Sequence, residues 1–313
     1  MIARTPVSRH WRGEAQLKPL TAEWGAVAAG SALARLRFAA LRHWPAAQRP
    51  DRGMCARIAG VVAASAPGAP VDRLVLPVRY ALWSVLLDDR LDAREASPAD
   101  LATLAQQVSA ASQARSDELS GEFVGELAST AAALHHLRQT VVARRFSAAV
   151  DEAVAAGIEH AALGRAVAEG AEPAPDLDDY LRVAAATVNY RSFAFVAMAA
   201  VLDDALSGEA LDRLEAPLRY AAGAVRLAND LRSVGRDRAE VSLNALMLRS
   251  PAGKPVTRRL IQARIRAYVA AHDTLLAGLS APDRGRTGLV FAAGTLKRLL
   301  RLSIGMYRVT DLR

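Results

Sequence analysis

Cysteine is nearly missing: Cys55 is the only one in 313 residues, which excludes a disulfide framework and a thiolate zinc site. Lysine is almost as scarce. Lys18, Lys254 and Lys297 are the only three, so the basic charge is almost wholly arginine. The formal charge of +8 and the pI of about 10.2 raise nucleic acid or an anionic membrane as partners. Against that, there is no long basic run, and the arginines alternate with acids along nearly every segment. A small anionic substrate, such as a phosphate or diphosphate, accounts for an arginine excess equally well. Long apolar runs are also lacking. The longest, Phe193 to about Leu202, lies between Arg191 and Asp203, far short of the ~20 residues a membrane span needs. The opening Met1 to Pro6 has no apolar core of the secretory kind. The expectation is a cytoplasmic protein that binds no nucleic acid and has no membrane span.

Alternation of β-branched residues is nearly absent too. Alanine, leucine and arginine dominate instead, and apolar residues recur at three- and four-residue spacing, which predicts an all-α fold. Hydrophobic residues make up 52% of the chain, ample for a core and contrary to disorder. Breaks fall at Pro45 to Pro50, Ala66 to Pro70, Ser97-Pro98, Gly170 to Pro175, Ser250 to Pro255 and Ser280 to Pro282. Ser97 as N-cap, Pro98 at the first helical position and Asp100 in the first turn mark one helix start. Asp176 opens another. Residues 1–313 read as a single bundle of about ten helices, with the N-terminal ~20 residues flexible.

Two polar clusters interrupt this pattern. Asp88, Asp89 and Asp92 lie near the C-terminal end of a helix that must stop before Pro98. There the helix dipole disfavours carboxylates by a few tenths of a kcal/mol each, so the three acids at that end call for a cation. The plainer alternative is an acidic turn neutralised by Arg90 and Arg94. In the second cluster Asn229, Ser233 and Asp237 fall at i, i+4 and i+8, one oxygen-bearing stripe on a helix. An amide, a hydroxyl and a carboxylate suit a hard divalent cation, although a solvated helix face has the same pattern. Asp203-Asp204 precedes Ser207-Gly208 and reads as a helix-end loop. Asp176-Leu177-Asp178-Asp179 spells a D-x-D-D motif, but in a first turn after a proline-rich loop its acids read as capping residues.

Taken together, the two clusters resemble the metal motifs of class I terpene synthases. Asp88-Asp89-Arg90-Leu91-Asp92 is similar to that family's D-D-x-x-D motif. Asn229, Ser233 and Asp237 are similar to N-D-x-x-S-x-x-x-E, with Asp237 in place of the glutamate and Glu240 nearly one turn on as an alternative ligand. Arg236 occupies the basic position before the last ligand, and Tyr307-Arg308 resembles the family's C-terminal arginine–tyrosine pair in reversed order. The diphosphate-sensing arginine of the family would fall on Val183, which leaves Arg182 and Arg191 as candidates. That departure, and the wording around Leu227 to Leu231, resembles bacterial ent-kaurene-synthase-like diterpene cyclases.

The resemblance implies ionisation of a C20 allylic diphosphate, geranylgeranyl or copalyl-type, by three Mg²⁺ ions. Asp88, Asp89 and Asp92 would serve on one side, Asn229, Ser233 and Asp237 on the other. Arg236, Arg308, Tyr307 and Arg182 would attend the diphosphate. Trp83, Tyr190, Phe193, Phe195 and Phe291, along with Tyr307, are candidates for lining the carbocation pocket, each with ordinary helix packing as the alternative. A sesquiterpene synthase acting on farnesyl diphosphate, a chain-elongating prenyltransferase, and a noncatalytic helical scaffold or nucleic-acid-binding protein are the other readings. The scaffold reading predicts no pocket between the two motif helices. A homodimer is a further expectation, since relatives often form one.

Overall fold

Stretches of alanine and leucine at helical spacing fold as α1 (Arg52–Ser65), α2 (Val71–Leu91), α3 (Pro98–Ser112), α4 (Glu122–His136) and α5 (Thr140–Ala168). They continue as α6 (Leu177–Thr187), α7 (Tyr190–Val201), α8 (Gly208–Glu240), α9 (Arg258–Leu279) and α10 (Thr287–Val309). A single 3₁₀ turn, Ala245–Met247, follows α8. The structure is a computed structural model that describes Ala39 and residues 52–67, 69–91, 96–114, 122–171, 173–203, 205–250, 253–279 and 287–309. Among the described residues there is no strand, only isolated bridges from Arg249 to Asp176 and to Pro255. The fold is all-α. The N-terminal ~20 residues, the breaks at Pro45 to Pro50 and Ser280 to Pro282, and Arg94 lie outside the described residues.

The helix starts follow local chemistry. Ser97 accepts from the Asp100 N–H while Asp100 accepts from the Ser97 N–H, a reciprocal capping box with Pro98 at the first helical position. Asp176 caps α6 by accepting from the N–H groups of Asp178 and Asp179, both at 2.9 Å, so the D-x-D-D stretch is a helix start. Asp203 pairs with Arg73 in the loop after α7.

The break between α6 and α7 carries no proline or glycine. Between α6 and α7 the chain turns at Val188 and Asn189, and Asn189 takes the left-handed conformation at φ 53°. Residues Leu177–Val201 are long and apolar enough in composition to cross a membrane. This corner divides them into helices of 11 and 12 residues, most of them buried inside the bundle.

One apolar cluster runs through the bundle, from Cys55 in α1 to Met306 in α10. The 33-residue α8 packs against α6, α7, α9 and α10, whereas α2 packs against α1, α4, α5 and α7. Helices α2 and α8 scarcely touch. Asp88 of α2 and Asn229 and Asp237 of α8 line a common hollow.

Candidate active site

Helix α2 turns its apolar stripe, Leu82, Leu87 and Leu91, into the core. The residues offset from that stripe, Ala81, Ser84, Val85 and Asp88, line a cavity of about 870 Å³, counting its open mouth. Ile58 and Val61 of α1, Val225 of α8 and Met306 and Tyr307 of α10 close it with apolar surface. The α6–α7 corner contributes Thr187 to Tyr190 and Phe193, and α8 brings Arg226, Asn229 and Arg236 to the polar end. A smaller hollow of about 370 Å³ shares Asp88, Thr187, Arg226, Asn229 and Arg236 with that end, and adds His160, Asp237 and Ser242. A polar cleft thus opens onto a mainly apolar chamber.

The stripe on α8 is buried rather than solvated: Ser233 is 1% and Asp237 5% exposed. The Ser233 hydroxyl donates to Asp237 Oδ2 at 2.6 Å, and Asn244 Nδ2 donates to the same oxygen at 2.7 Å. Arg236 lies 3.4 Å from the other carboxylate oxygen, and its Nε is 3.5 Å from Glu240. Glu240 is 43% exposed at its side chain and lines neither hollow, so Asp237 is the carboxylate on the cleft wall.

Behind the stripe is a second layer of buried charge. Asp230 is fully buried, accepts from the Tyr180 hydroxyl at 2.8 Å, and has Arg226 Nε 2.9 Å from Oδ1. Arg226 also donates to the Tyr180 oxygen at 2.9 Å, to Thr187 Oγ1 at 3.0 Å and to the Leu243 carbonyl at 3.3 Å. Burial pushes the Asp230 carboxyl up to about 6, against the opposing pull of Arg226 and of the Tyr180 hydroxyl. Burial alone would lower Arg226, but Asp230 and the other carboxylates nearby outweigh it and hold the guanidinium above its usual range. His160 is driven down to about 3 by burial and then by Arg226. The cleft floor therefore holds a fixed cation and a neutral imidazole at neutral pH.

Among the described residues no three His, Cys, Asp or Glu side chains converge as a ready metal cage. That suits the donor chemistry. Mg²⁺ keeps several waters and is usually held by one or two carboxylates with substrate phosphate oxygens, not by an all-protein cage. Asp88 on one wall and Asn229 and Asp237 on the other are hard oxygen donors of that kind, whereas Ser233 lines neither hollow and donates its hydroxyl to Asp237. Asp89 is exposed beside Asp88, and Asp92 lies outside the described residues.

Residues 79–248 match a family model described as terpene synthase family 2, C-terminal metal binding. This stretch is more than half of the chain. The chain belongs to the terpene synthase family, lyases that act on prenyl diphosphates. Solved synthases share the fold at low identity. Linalool/nerolidol synthase from Streptomyces clavuligerus, in complex with 2-fluorogeranyl diphosphate, superposes at TM-score 0.67 and 22% identity, over 88% of this chain and 94% of that one. Hedycaryol synthase in complex with nerolidol gives TM-score 0.64 and 19% identity, over 88% and 94%. A structure of α-eudesmol synthase gives 0.62 and 17%, over 99% and 98%. A comparison with curated protein sequences returns no match.

The synthase places the remaining sequence candidates unevenly. Tyr190, Phe193, Tyr307 and Arg236 are on the cavity wall. Trp83 is not; fully buried, it donates Nε1–H to the Phe123 carbonyl at 3.0 Å and stacks on Tyr80 and Phe123. Phe195 is also packed in the core, because two residues on from Phe193 the helix has turned to another face. Phe291 is 43% exposed on α10. Arg308 is exposed and off the cavity wall, one position past Tyr307. Arg182 is 70% exposed at its side chain and faces Asp179, on the opposite side of α6 from Tyr180 and Thr187. Arg191 pairs with Glu152 and Glu215, away from the cleft.

Sequence reasoning missed Arg226, Tyr180, Asn244 and His160. Arg226 had a usable signal: one charge inside the apolar run Ala221 to Ala228, one turn before Asp230. The others join the site only through tertiary packing.

Proposed function

We propose that the synthase ionises a C20 allylic diphosphate, geranylgeranyl or an already bicyclic copalyl-type diphosphate, and closes the resulting carbocation into a cyclic diterpene. The observation that supports ionisation is the opposition of Asp88 to Asn229 and Asp237 across a polar cleft opening onto an apolar cavity. The diphosphate belongs in the cleft and the hydrocarbon chain in the cavity.

By the resemblance, Asp88, Asp89 and Asp92 of the first motif and Asn229, Ser233 and Asp237 of the second would hold Mg²⁺, three ions in all. Bound Mg²⁺ supplies Lewis-acid stabilisation of the charge that builds on the departing diphosphate. Arg226 and Arg236, on the walls of both hollows, direct fixed positive charge at the same oxygens. Arg226 is preorganised for this by Asp230, Tyr180 and Thr187. Ile58, Val61, Val85, Val225 and Met306 exclude water and shape the folding chain. The rings of Phe193 and Tyr190 can each stabilise a nearby carbocation by about 0.5–2 kcal/mol. The C-terminal end of α6 at Thr187 also faces the cavity, and its partial negative charge favours a cation there.

The C20 assignment rests on the resemblance to ent-kaurene-synthase-like cyclases, carried by the wording of α8 and by Val183, 6% exposed, at the position where the resemblance would put the diphosphate-sensing arginine. A C15 reading has its own support in the structural neighbours, named for linalool/nerolidol, hedycaryol and eudesmol. Incubation with Mg²⁺ and geranyl, farnesyl, geranylgeranyl and copalyl-type diphosphates in competition, with gas chromatography of the extract, separates them. A C20 product is expected; a C15 product from the mixture replaces that assignment. Asp88→Ala and Asn229→Ala should each lower diphosphate release by about 100-fold or more. Near-wild-type release in both would end the ionisation reading.

A further inference from the structure

The Asp237 carboxylate, which lines the smaller hollow with Asp88 and Asn229, is met unevenly at its two oxygens. Oδ2 accepts two hydrogen bonds, from the Ser233 hydroxyl at 2.6 Å and from Asn244 Nδ2 at 2.7 Å. A carboxylate oxygen offers about two lone-pair sites, so Oδ2 is filled by the protein. Among the described residues Oδ1 meets only Arg236, at 3.4 Å. Asn244 is fully buried and uses both ends of its amide. Its Oδ1 accepts from the Leu246 N–H at 2.9 Å, capping the 3₁₀ turn, while Nδ2 also donates to the Asp230 carbonyl at 3.0 Å. The Leu246 N–H can only donate and the Asp230 carbonyl can only accept, which fixes the amide orientation. A strained turn brings Asn244 back to this place. Val241 ends α8 at φ 61°, a conformation unfavourable for a β-branched residue, and the Ser242 N–H donates to the Asp237 carbonyl at 2.9 Å. Such strain persists where the surrounding structure imposes it, and ligand clamps are one such place.

We propose that Asn244 is a positioning residue for the metal: it occupies Asp237 Oδ2, so that Oδ1 is the one oxygen of that carboxylate presented to Mg²⁺. This rests on the metal-dependent ionisation reading above. An amide suits the task better than a cationic side chain. It donates a hydrogen bond without bringing a positive charge that would compete with the metal for Asp237. It also leaves the carboxylate unable to swing, which suits a small ion that demands near-ideal octahedral geometry. Partners that orient a ligating group in this way carry about 10–100-fold of metal affinity.

The test is thermal unfolding of the full chain as Mg²⁺ is titrated at saturating inorganic diphosphate, with the ligand-free urea midpoint measured on the same samples. Asn244→Ala removes both ends of the amide. Asn244→Ser keeps an oxygen able to cap the turn, but its side chain is too short to replace Nδ2 at Asp237. Each variant should raise the Mg²⁺ concentration at half-maximal shift by about 10–100-fold. Asn244→Ser should recover part of the urea midpoint lost in Asn244→Ala and none of the Mg²⁺ affinity. A residue that served only the fold would lower the urea midpoint and leave the Mg²⁺ midpoint unmoved, or restore both together in Asn244→Ser. Either result overturns the proposal while leaving the metal reading standing. Loss of the fold in both variants overturns it too, since Asn244 would then serve the turn after α8 first. An absence of any joint shift by Mg²⁺ and diphosphate in wild type overturns the metal reading and this proposal with it.

Discussion

At the residue scale the site depends on side chains that never reach the cleft surface. Asp230 next to Asn229 illustrates it. One position along a helix is a rotation of about 100°, so Asp230 is turned away from the stripe and into the core, where it meets Arg226 and Tyr180. The stripe itself was legible from spacing, and so was Asp88. The partners that bury and orient it come from α6 and from the loop after α8, and no local pattern joins those to α8. Asp230→Asn keeps an acceptor for Tyr180 but leaves the Arg226 charge buried without its counter-ion. It should cost about 3–5 kcal/mol, read as a lower urea midpoint. A loss under about 1 kcal/mol would mean that Arg226 is served by other groups.

His160 gives a pH signature at the same scale. Its folded pKa is depressed to about 3 from 6.5. Between those values the unfolded chain binds a proton that the folded protein refuses, so the stability His160 contributes is present above about pH 6.5 and is lost as pH falls towards 3. Asp230, raised to about 6, works in the opposite direction, so the wild-type curve alone mixes the two. The difference between wild type and His160→Gln cancels Asp230. That difference should shift against wild type by at most about 1.4 kcal/mol per pH unit below pH 6.5. A pH-independent difference would place His160 in contact with solvent.

At the scale of elements, starts and stops written in Ser, Asp, Pro and Gly were readable, as at Ser97, Asp176 and the loop after Ala168. The corner at Val188-Asn189 was not, because neither residue is a strong breaker and the left-handed turn is imposed by the packing of two short helices around the cavity. Trp83 and Phe195 fall off the cavity wall, where Tyr190, Phe193 and Tyr307 lie, for a related reason. A sequence shows that Phe193 and Phe195 share a helix, but which face meets the cavity is decided by the neighbours. Close helix approaches are set by two glycines. A methyl added at Gly223 would come 2.6 and 3.0 Å from two ring atoms of Tyr268 on α9, whereas one at Gly157 meets only the tip of Leu91, Cδ1, at 2.6 Å. A rigid ring must move as a whole, but a leucine tip can rotate. Against a helix gain of about 1 kcal/mol for either change, Gly223→Ala should be destabilising by about 1–2 kcal/mol. Gly157→Ala should stay within about 1 kcal/mol of wild type. Equal effects in thermal unfolding would show that α8 and α9 separate as freely as Leu91 turns.

For the whole molecule, several arginines belong to the scaffold. Arg79 grips Glu126 with two hydrogen bonds of 2.6 and 2.7 Å between α2 and α4. Arg145 joins α5 to Asp212, Arg191 joins α7 to Glu152 and Glu215, Arg264 joins α9 to Asp178, and Arg301 joins α10 to Asp273. These pairs tie helices together and explain why the basic charge is spread along the chain rather than gathered in runs. Partly exposed pairs of this kind contribute about 0–1 kcal/mol each. On the proposed function the anion site is the cleft, whose lining includes Arg226 and Arg236 along with Asp88 and Asp237. Mg²⁺ and inorganic diphosphate should each need the other to bind there, because the walls offer too few carboxylates to hold the metal alone and the diphosphate alone meets the negative charge of Asp88 and Asp237. Together, at 100 times the dissociation constant, they should stabilise the fold by about 2.7 kcal/mol, a rise in Tm of about 5 °C. Either one alone should give much less, and Asp88→Ala should abolish the joint effect. A full shift with diphosphate in the presence of a chelator would move the anion site away from this cleft and onto the scaffold arginines.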